Sequence, residues 1–187
     1  MRGKQAAAHE KGRLPSRRIA ALYDWAGAAV FALICLGMVF VFLVRAVGVE
    51  GDSMNPTLSD GEGLLVTPAV GRARRGEIVI VRRPDGDPLV KRVIAVGGDR
   101  VSIDPVTFRV VLNGQELAEE YAVGRTLPRD FGLEPRTIPD GFVMVLGDNR
   151  EESRDSRSAQ IGLIAESQIA GRVFFRFYPP ARAGWVG

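Results

Sequence analysis

The stretch Gly51-Asp52-Ser53-Met54-Asn55-Pro56-Thr57-Leu58 divides the chain into two kinds of sequence. Before it the residues are first basic and then continuously apolar; after it they fall into short runs cut by Gly, Pro and Asp. The stretch itself admits two readings. Ser, Asn and Pro are ordinary turn formers, Pro presetting φ while short polar side chains bond their own backbone. A serine held in such a turn is also a place for a nucleophile. What the rest of the chain can bring to Ser53 decides between them.

On the N-terminal side, residues 26–44 form a run of 19 without a charge, with Tyr23 and Trp25 at its entry. That is the length and the aromatic flank of a membrane-spanning helix. A cleaved secretory signal has a shorter apolar region, about 7–15 residues, and ends in a small-x-small site. Ala46-Val47-Gly48 offers such a site, but the run is too long for it and Arg45 closes it as a boundary charge. A buried core helix is the least favoured reading. Residues 1–24 hold six basic and two acidic side chains, a net +4, which leaves −1 of the chain's +3 for residues 25–187. The positive end therefore stays in the cytoplasm and the bulk of the chain lies outside. A near-neutral main domain removes the motive for nucleic-acid binding, despite the excess of basic residues overall. The expected layout is a basic cytoplasmic arm over 1–24, a transmembrane anchor over 25–45 and an extracytoplasmic domain over 46–187. Ser53 follows the last apolar residue by so few positions that it is expected close to the lipid bilayer.

On the C-terminal side the pattern is β. Strands are expected at 63–67, 77–82, 89–96, 100–103, 109–112, 142–146 and 170–177, with Asp85-Gly86 and Asn113-Gly114 as turns. Residues 104–139, with Pro105, Pro128 and Pro135, read as a small β extension outside the core. The fold class is mostly β, behind one transmembrane helix.

Subtraction then narrows the chemistry. The single Cys35 lies in the apolar run and the single His9 in the arm. A Ser-His-Asp triad, a Cys-His pair and a His- or Cys-ligated zinc site are all excluded from the outer domain. Residues 46–187 contain one lysine, Lys91, among many arginines. Arginine keeps its proton, whereas a lysine can be made to release it. A free lysine titrates near about 10.4, so it is a poor base at neutral pH unless burial lowers it by up to about 3–5 units. In Leu89-Val90-Lys91-Arg92-Val93-Ile94-Ala95-Val96, Lys91 shares a row with Leu89, Val93 and Ala95, while Arg92 shares the other with Val90 and Ile94. The pattern alone does not choose between Lys91 and Arg92 as the buried charge, and an edge-strand lysine that discourages aggregation remains the competing reading.

A polar run, Gly147-Asp148-Asn149-Arg150-Glu151-Glu152-Ser153-Arg154-Asp155-Ser156-Arg157, follows the apolar strand at 142–146. Most such runs are solvated loops. Here Ser153, Asp155 and Arg157 alternate, placing a hydroxyl beside a carboxylate–guanidinium pair suited to orienting an amine.

Four segments in order, 51–58, 75–81, 90–99 and 147–157, together with Asn113-Gly114 and Gly171-Arg172-Val173-Phe174, resemble the bacterial type I signal peptidases. These are membrane-bound Ser/Lys proteases that remove signal peptides from exported preproteins. The resemblance covers about residues 49–180, and the small size with one span is similar to the Gram-positive branch. It implies a signal-peptidase-like β domain that needs no cofactor or metal, with Ser53 as nucleophile and Lys91 as general base. Ser153 would hold the lysine amine, with Asp155 and Arg157 as structural support. It further implies that the Ser53 backbone N–H holds the oxyanion and that Met54, Leu58 and Leu89 wall the substrate pocket. In some members a hydroxyl two residues before the nucleophile adds a second oxyanion donor; here that position is Gly51. The preproteins would bind as an added strand beside residues 89–91. The rival Ser/Lys class, self-cleaving repressors, would carry a DNA-binding domain in place of the anchor. The alternative of another kind is a catalytically inactive, membrane-tethered peptide-binding β domain.

Overall fold

Ile78, Val79, Ile80 and Val81 are all buried within one strand, a continuous apolar run that fits a strand covered on both faces. The structure, a computed structural model, describes residues 17–84 and 86–186, apart from the side chains at 17, 18 and 39–42. The first 16 residues of the expected arm, and Asp85 of the expected Asp85-Gly86 turn, lie outside them.

Ile78 and Ile80 join Val49, Met54, Leu58, Leu64, Val66 and Val173 in one apolar cluster. Val79 and Val81 join Val93, Val143, Val145, Ile164 and Ile169 in another. Because successive strand side chains point to opposite faces, the two clusters cover opposite faces of one sheet. Its strands are β1 (Arg45–Gly48), β2 (Gly63–Pro68), β3 (Ile78–Arg83), β4 (Gly86–Val96), β9 (Phe142–Leu146), β10 (Ile164–Ala165), β11 (Ile169–Tyr178) and β12 (Gly184–Trp185). They are ordered β1-β2-β11-β3-β4-β9-β10, with β12 beside β11, and every pair is antiparallel.

A second sheet, β7-β6-β5-β8, is formed by β5 (Arg100–Ile103), β6 (Val110–Leu112), β7 (Gln115–Glu116) and β8 (Arg136–Thr137). Asn113 and Gly114 both take positive φ, 53° and 84°, between β6 and β7, as a tight hairpin turn requires. This region is more than an appendage. Val101, Ile103, Val110, Leu112 and Phe131 share one buried cluster with Ile94 and Ala95 of β4 and Met144 and Leu146 of β9. The prolines of 104–139 lie in the loops, while the apolar positions that flank them complete the core; the expectation of an extension outside the core is corrected on that point.

The N-terminal unit is a helix, α1 (Arg17–Leu43). Its segment Ile19–Met38 is long and apolar enough to cross a membrane. The helix starts well before residue 25, running through Tyr23, Asp24 and Trp25, and it stops before Arg45, which begins β1 instead of ending the span. Ala46-Val47-Gly48 is accordingly held in a ladder, paired with Leu65, Leu64 and Gly63 of β2.

Candidate active site

Residues 51–60 make a loop whose neck is closed by backbone bonds, Val49 N–H to Glu62 O at 2.8 Å and Gly61 N–H to Val49 O at 2.9 Å. Met54 and Leu58 fill it from below and are essentially inaccessible, at 1% and 0% exposure. Each such side chain contributes about 1.5–3 kcal/mol of burial, so the loop is anchored as firmly as the strands. Ser53, just before Met54, is only half-buried.

Lys91 arrives from β4. Its Nζ donates to Ser53 Oγ at 2.5 Å and to the Val90 carbonyl at 3.1 Å, with the residue only 3% exposed. Burial pushes its pKa down to about 8, against the opposing pull of the Asp155 and Asp148 carboxylates. Arg92, the next residue, is equally buried. Its Nε and Nη2 grip Asp148 at 2.9 and 2.7 Å, its Nη1 donates to the Gly76 carbonyl at 2.9 Å, and its guanidinium lies 4.0 Å from the Tyr121 ring centre. The strand thus buries two cations: Lys91 with a hydroxyl, Arg92 with a carboxylate.

Asp155 and Arg157 are both fully buried and paired through two bonds of 2.8 Å. Burial alone would raise the Asp155 pKa, but the Arg157 bonds and charge outweigh it and hold the carboxyl below its ordinary value. Asp155 also accepts from Gly147 N–H at 3.1 Å, and Arg157 reaches the Arg150 carbonyl at 2.6 Å, so the pair fixes the turn after β9.

Ser153 lies in the same buried cluster. Its hydroxyl stands near Asp155 and helps lower that group, but among the described residues no partner meets it with hydrogen-bond geometry. The bonds of Lys91 Nζ go to Ser53 and Val90, so among the described residues Ser153 is not bonded to the lysine; its Oγ borders the Ser53 backbone across Gly147.

Gly147 is the joint between these groups. A Cβ there would overlap Ser153 Oγ and the Ser53 carbonyl oxygen together. The loop is bound to the same turn by Asn149 N–H to Ser53 O at 3.1 Å, Asn149 Nδ2 to Asp52 O at 3.3 Å, and Thr57 Oγ1 to Asp148 Oδ2 at 2.5 Å. Thr57, Asp148 and Asn149 entered the sequence reading only as members of longer runs, and Arg92 only as the charge in the other row of its strand. Arg92 and Asp148 each left a signal, a charge in a strand row shared with Val90 and Ile94 and a carboxylate just past a buried strand, but neither named the other.

A cleft of about 310 Å³ runs past Ser53 and Lys91, walled by Met54, Ile80, Leu89 and Val90, with Val47 and Gly48 on its other side. Leu58 is not on this wall. A bond from its N–H to Met54 O, at 2.9 Å, turns it into the core, which corrects its expected place in the pocket. β9 pairs with β4 only from Arg92 to Val96, so among the described residues positions 86–91 keep one open edge beside the cleft. The larger cavity, about 410 Å³ and lined in part by Phe108, Arg125 and Glu119, contains neither Ser53 nor Lys91.

Among the described residues the Ser53 N–H meets no hydrogen-bond acceptor, which leaves it available to a ligand in the cleft. Gly51 has φ of 79°, a conformation unfavourable to any residue with a Cβ. A hydroxyl-bearing side chain is disfavoured at that position by the backbone itself.

The family model described as "Signal peptidase, peptidase S26" matches residues 22–178. A protein named Signal peptidase I from Bacillus licheniformis is 39% identical over 174 residues, 84% of this chain and 89% of that one. A Signal peptidase IB from Staphylococcus aureus is 37% identical over 176 residues, 84% and 90% of the two chains. A crystal structure of a signal peptidase I from Enterococcus faecalis V583 superposes on 55% of this chain and 97% of that one, at 25% identity and a TM-score of 0.45.

Proposed function

Because the chain belongs to the signal peptidase family, peptidase S26, we propose that it cleaves signal peptides from exported preproteins by a Ser53/Lys91 dyad working at the outer face of a membrane. The observation that carries the reading is the Lys91 Nζ to Ser53 Oγ bond of 2.5 Å. At pH 7 a lysine with a pKa of about 8 is neutral in about one molecule in ten, against about one in three thousand for an ordinary lysine.

Neutral Lys91 takes the proton from Ser53 Oγ as that oxygen attacks the scissile carbonyl carbon. The Ser53 N–H faces the developing oxyanion, a donor of a kind worth about 2.7–4 kcal/mol in other hydrolases. Collapse breaks the C–N bond, and the Lys91 ammonium returns its proton to the leaving amine. Water, deprotonated by Lys91, then attacks the Ser53 ester, and the Lys91 ammonium gives that proton to Ser53 Oγ as it leaves, which restores the free serine and the neutral amine. Asp155–Arg157 and Asp148–Arg92 hold the two chain segments in register, and Ser153 lines the lysine's surroundings. The preprotein enters extended along the open edge of residues 86–91, with small side chains directed at Met54 and Leu89. The anchor is the apolar segment of α1, and the basic arm keeps the N-terminus in the cytoplasm.

The test is cleavage of a purified preprotein by the detergent-solubilised full chain. Ser53→Ala and Lys91→Ala are each expected to abolish turnover. Near-normal cleavage by either variant rules out the dyad; binding of the preprotein without cleavage by the unmutated chain favours the inactive peptide-binding alternative.

A further inference from the structure

The far half of the nucleophile loop is held by the C-terminal end of the chain. Arg176, on β11, donates from Nη1 to the Thr57 carbonyl at 2.7 Å and to Glu62 Oε2 at 3.1 Å. Arg182 sits in the one-turn helix Pro180–Arg182 that follows β11. It donates from Nη2 to the Pro56 carbonyl at 3.0 Å and from Nη1 to Ser59 Oγ at 2.9 Å. The two arginines are themselves joined, Arg176 Nε to Arg182 O at 2.6 Å.

Behind both stands Glu62, 2% exposed. Its Oε1 lies 2.7 Å from Arg182 Nη1, a charge contact without the alignment of a hydrogen bond. Glu62 is also the residue whose carbonyl closes the loop's neck. From Ser59 the connection runs back toward Ser53: Ser59 Oγ donates to Asn55 Oδ1 at 2.8 Å, and Asn55 Nδ2 donates to Asp52 Oδ1 at 2.8 Å. The acceptors of the two arginines inside the loop are two backbone carbonyls and a hydroxyl. The bonds therefore fix where the loop backbone lies and add little to the core.

We infer that Arg176 and Arg182, neutralised and braced by Glu62, are positioning residues that hold Ser53 at Lys91, so that their loss lowers turnover and leaves preprotein binding intact. The inference rests on the reading of Ser53 as nucleophile. The cleft wall that β4 contributes, Leu89 and Val90, lies outside the loop and partners neither arginine, which separates binding along that strand from placement of Ser53. A nucleophile displaced by about 1 Å loses on the order of a hundredfold in rate.

β11 supplies its own control. Arg172, on the same strand, uses the same chemistry on another loop, donating to the carbonyls of Val70, Gly71 and Arg72 at 2.9, 3.1 and 2.7 Å.

The experiment measures kcat, KM and thermal unfolding of the detergent-solubilised full chain with a purified preprotein, for Arg176→Ala, Arg182→Ala, Arg182→Lys, Arg172→Ala and Ser53→Ala. Arg176→Ala and Arg182→Ala are expected to lose about ten- to a hundredfold in kcat, with KM within about twofold and the pH midpoint of activity unmoved. Arg182→Lys recovers part of the loss, because an ammonium reaches one of the two acceptors, and Arg172→Ala keeps the unmutated kcat. Wild-type kcat in both alanine variants overturns the inference. An equal loss in Arg172→Ala, or a loss that merely tracks the unfolded fraction, also overturns it. Should Arg176→Ala fail to fold, the more exposed Arg182 carries the test alone. Cleavage by Ser53→Ala would instead remove the nucleophile reading, an outcome distinct from failure of the clamp.

Discussion

Lys91 Nζ and Ser53 Oγ are 2.5 Å apart although their residues are 38 positions apart in sequence. Burial holds the amine near a pKa of about 8. If the neutral amine is the base, kcat/KM rises about tenfold per pH unit up to about pH 8 and levels off above it. A pH–rate profile checks this, and a midpoint near 10 would show that Lys91 is not desolvated in the working enzyme. Lys91→Arg keeps the charge but not the basicity, and it is expected to be as inactive as Lys91→Ala.

The same shift has a cost in stability. The native state binds the Lys91 proton less tightly than the unfolded chain, from about 8 against an unfolded value of 10.5. Below about pH 8 the charged amine is buried in the native state and the penalty is complete; it fades as pH rises from about 8 to 10.5. Lys91→Met is therefore expected to be inactive yet more stable than the unmutated chain at pH 7, by up to about 3 kcal/mol. The gap should close by about pH 10.5. Denaturant unfolding at pH 7 and pH 10 measures it, and a destabilised Lys91→Met at pH 7 contradicts it.

Gly147→Ala would place a methyl group on both Ser153 Oγ and the Ser53 carbonyl. Overpacking of this kind costs about 1–3 kcal/mol, and relief requires the loop that carries Ser53 to move. The variant is expected to fold with a lowered melting temperature and to lose more than about a hundredfold in kcat. Unchanged turnover would mean that the loop and the turn after β9 move independently.

Asp148→Ala strands Arg92 in a site where it is 3% exposed. Removal of one partner of a buried pair typically costs about 3–5 kcal/mol. Thr57 loses its acceptor in the same variant, so activity is expected to fall along with stability. Arg92→Lys does not rescue the pairing, because an ammonium cannot make the two-pronged bond or stack on Tyr121. Denaturant midpoints of the two variants provide the comparison.

Gly51→Ser tests whether the backbone two residues before Ser53 accepts a hydroxyl-bearing side chain. A side chain at φ of 79° is expected to cost about 1–2 kcal/mol, although an added Cβ would meet nothing within 4 Å. A melting temperature equal to that of the unmutated chain would show that it does.

The β-rich class was legible because strand alternation and turn residues are local properties: the runs at 100–103 and 142–146 match β5 and β9 residue for residue. Short strands such as β7, β8, β10 and β12, two residues each, carry too little pattern to be seen and exist only because a longer neighbour pairs with them. Lys91 stood out through what the composition lacks. Asp148 and Thr57 did not, since 91 positions separate them and nothing in either segment specifies the other. Leu58 was misplaced for a related reason: an apolar residue next to a candidate nucleophile looks like a pocket wall until the turn from Met54 sends it inward. Arg176 and Arg182 were invisible as a pair because two of their partners in the loop are backbone carbonyls, which every sequence has, and the side chains they reach, Glu62 and Ser59, lie more than a hundred positions away.

Lys91 and Arg92 sit side by side on β4, with Val79 opposite the first and Ile78 opposite the second. Strand side chains alternate, so a slip of one residue in this pairing would exchange the two. The hydroxyl of Ser53 would then face a guanidinium that never gives up its proton, and Asp148 would face an amine that needs to keep its own. Such a molecule would have the same composition, the same sheet and almost the same buried charge, and under the proposed dyad it would be inert. The alignment of β3 on β4, far from looking like part of a protease, is what selects the one cation able to act as a base.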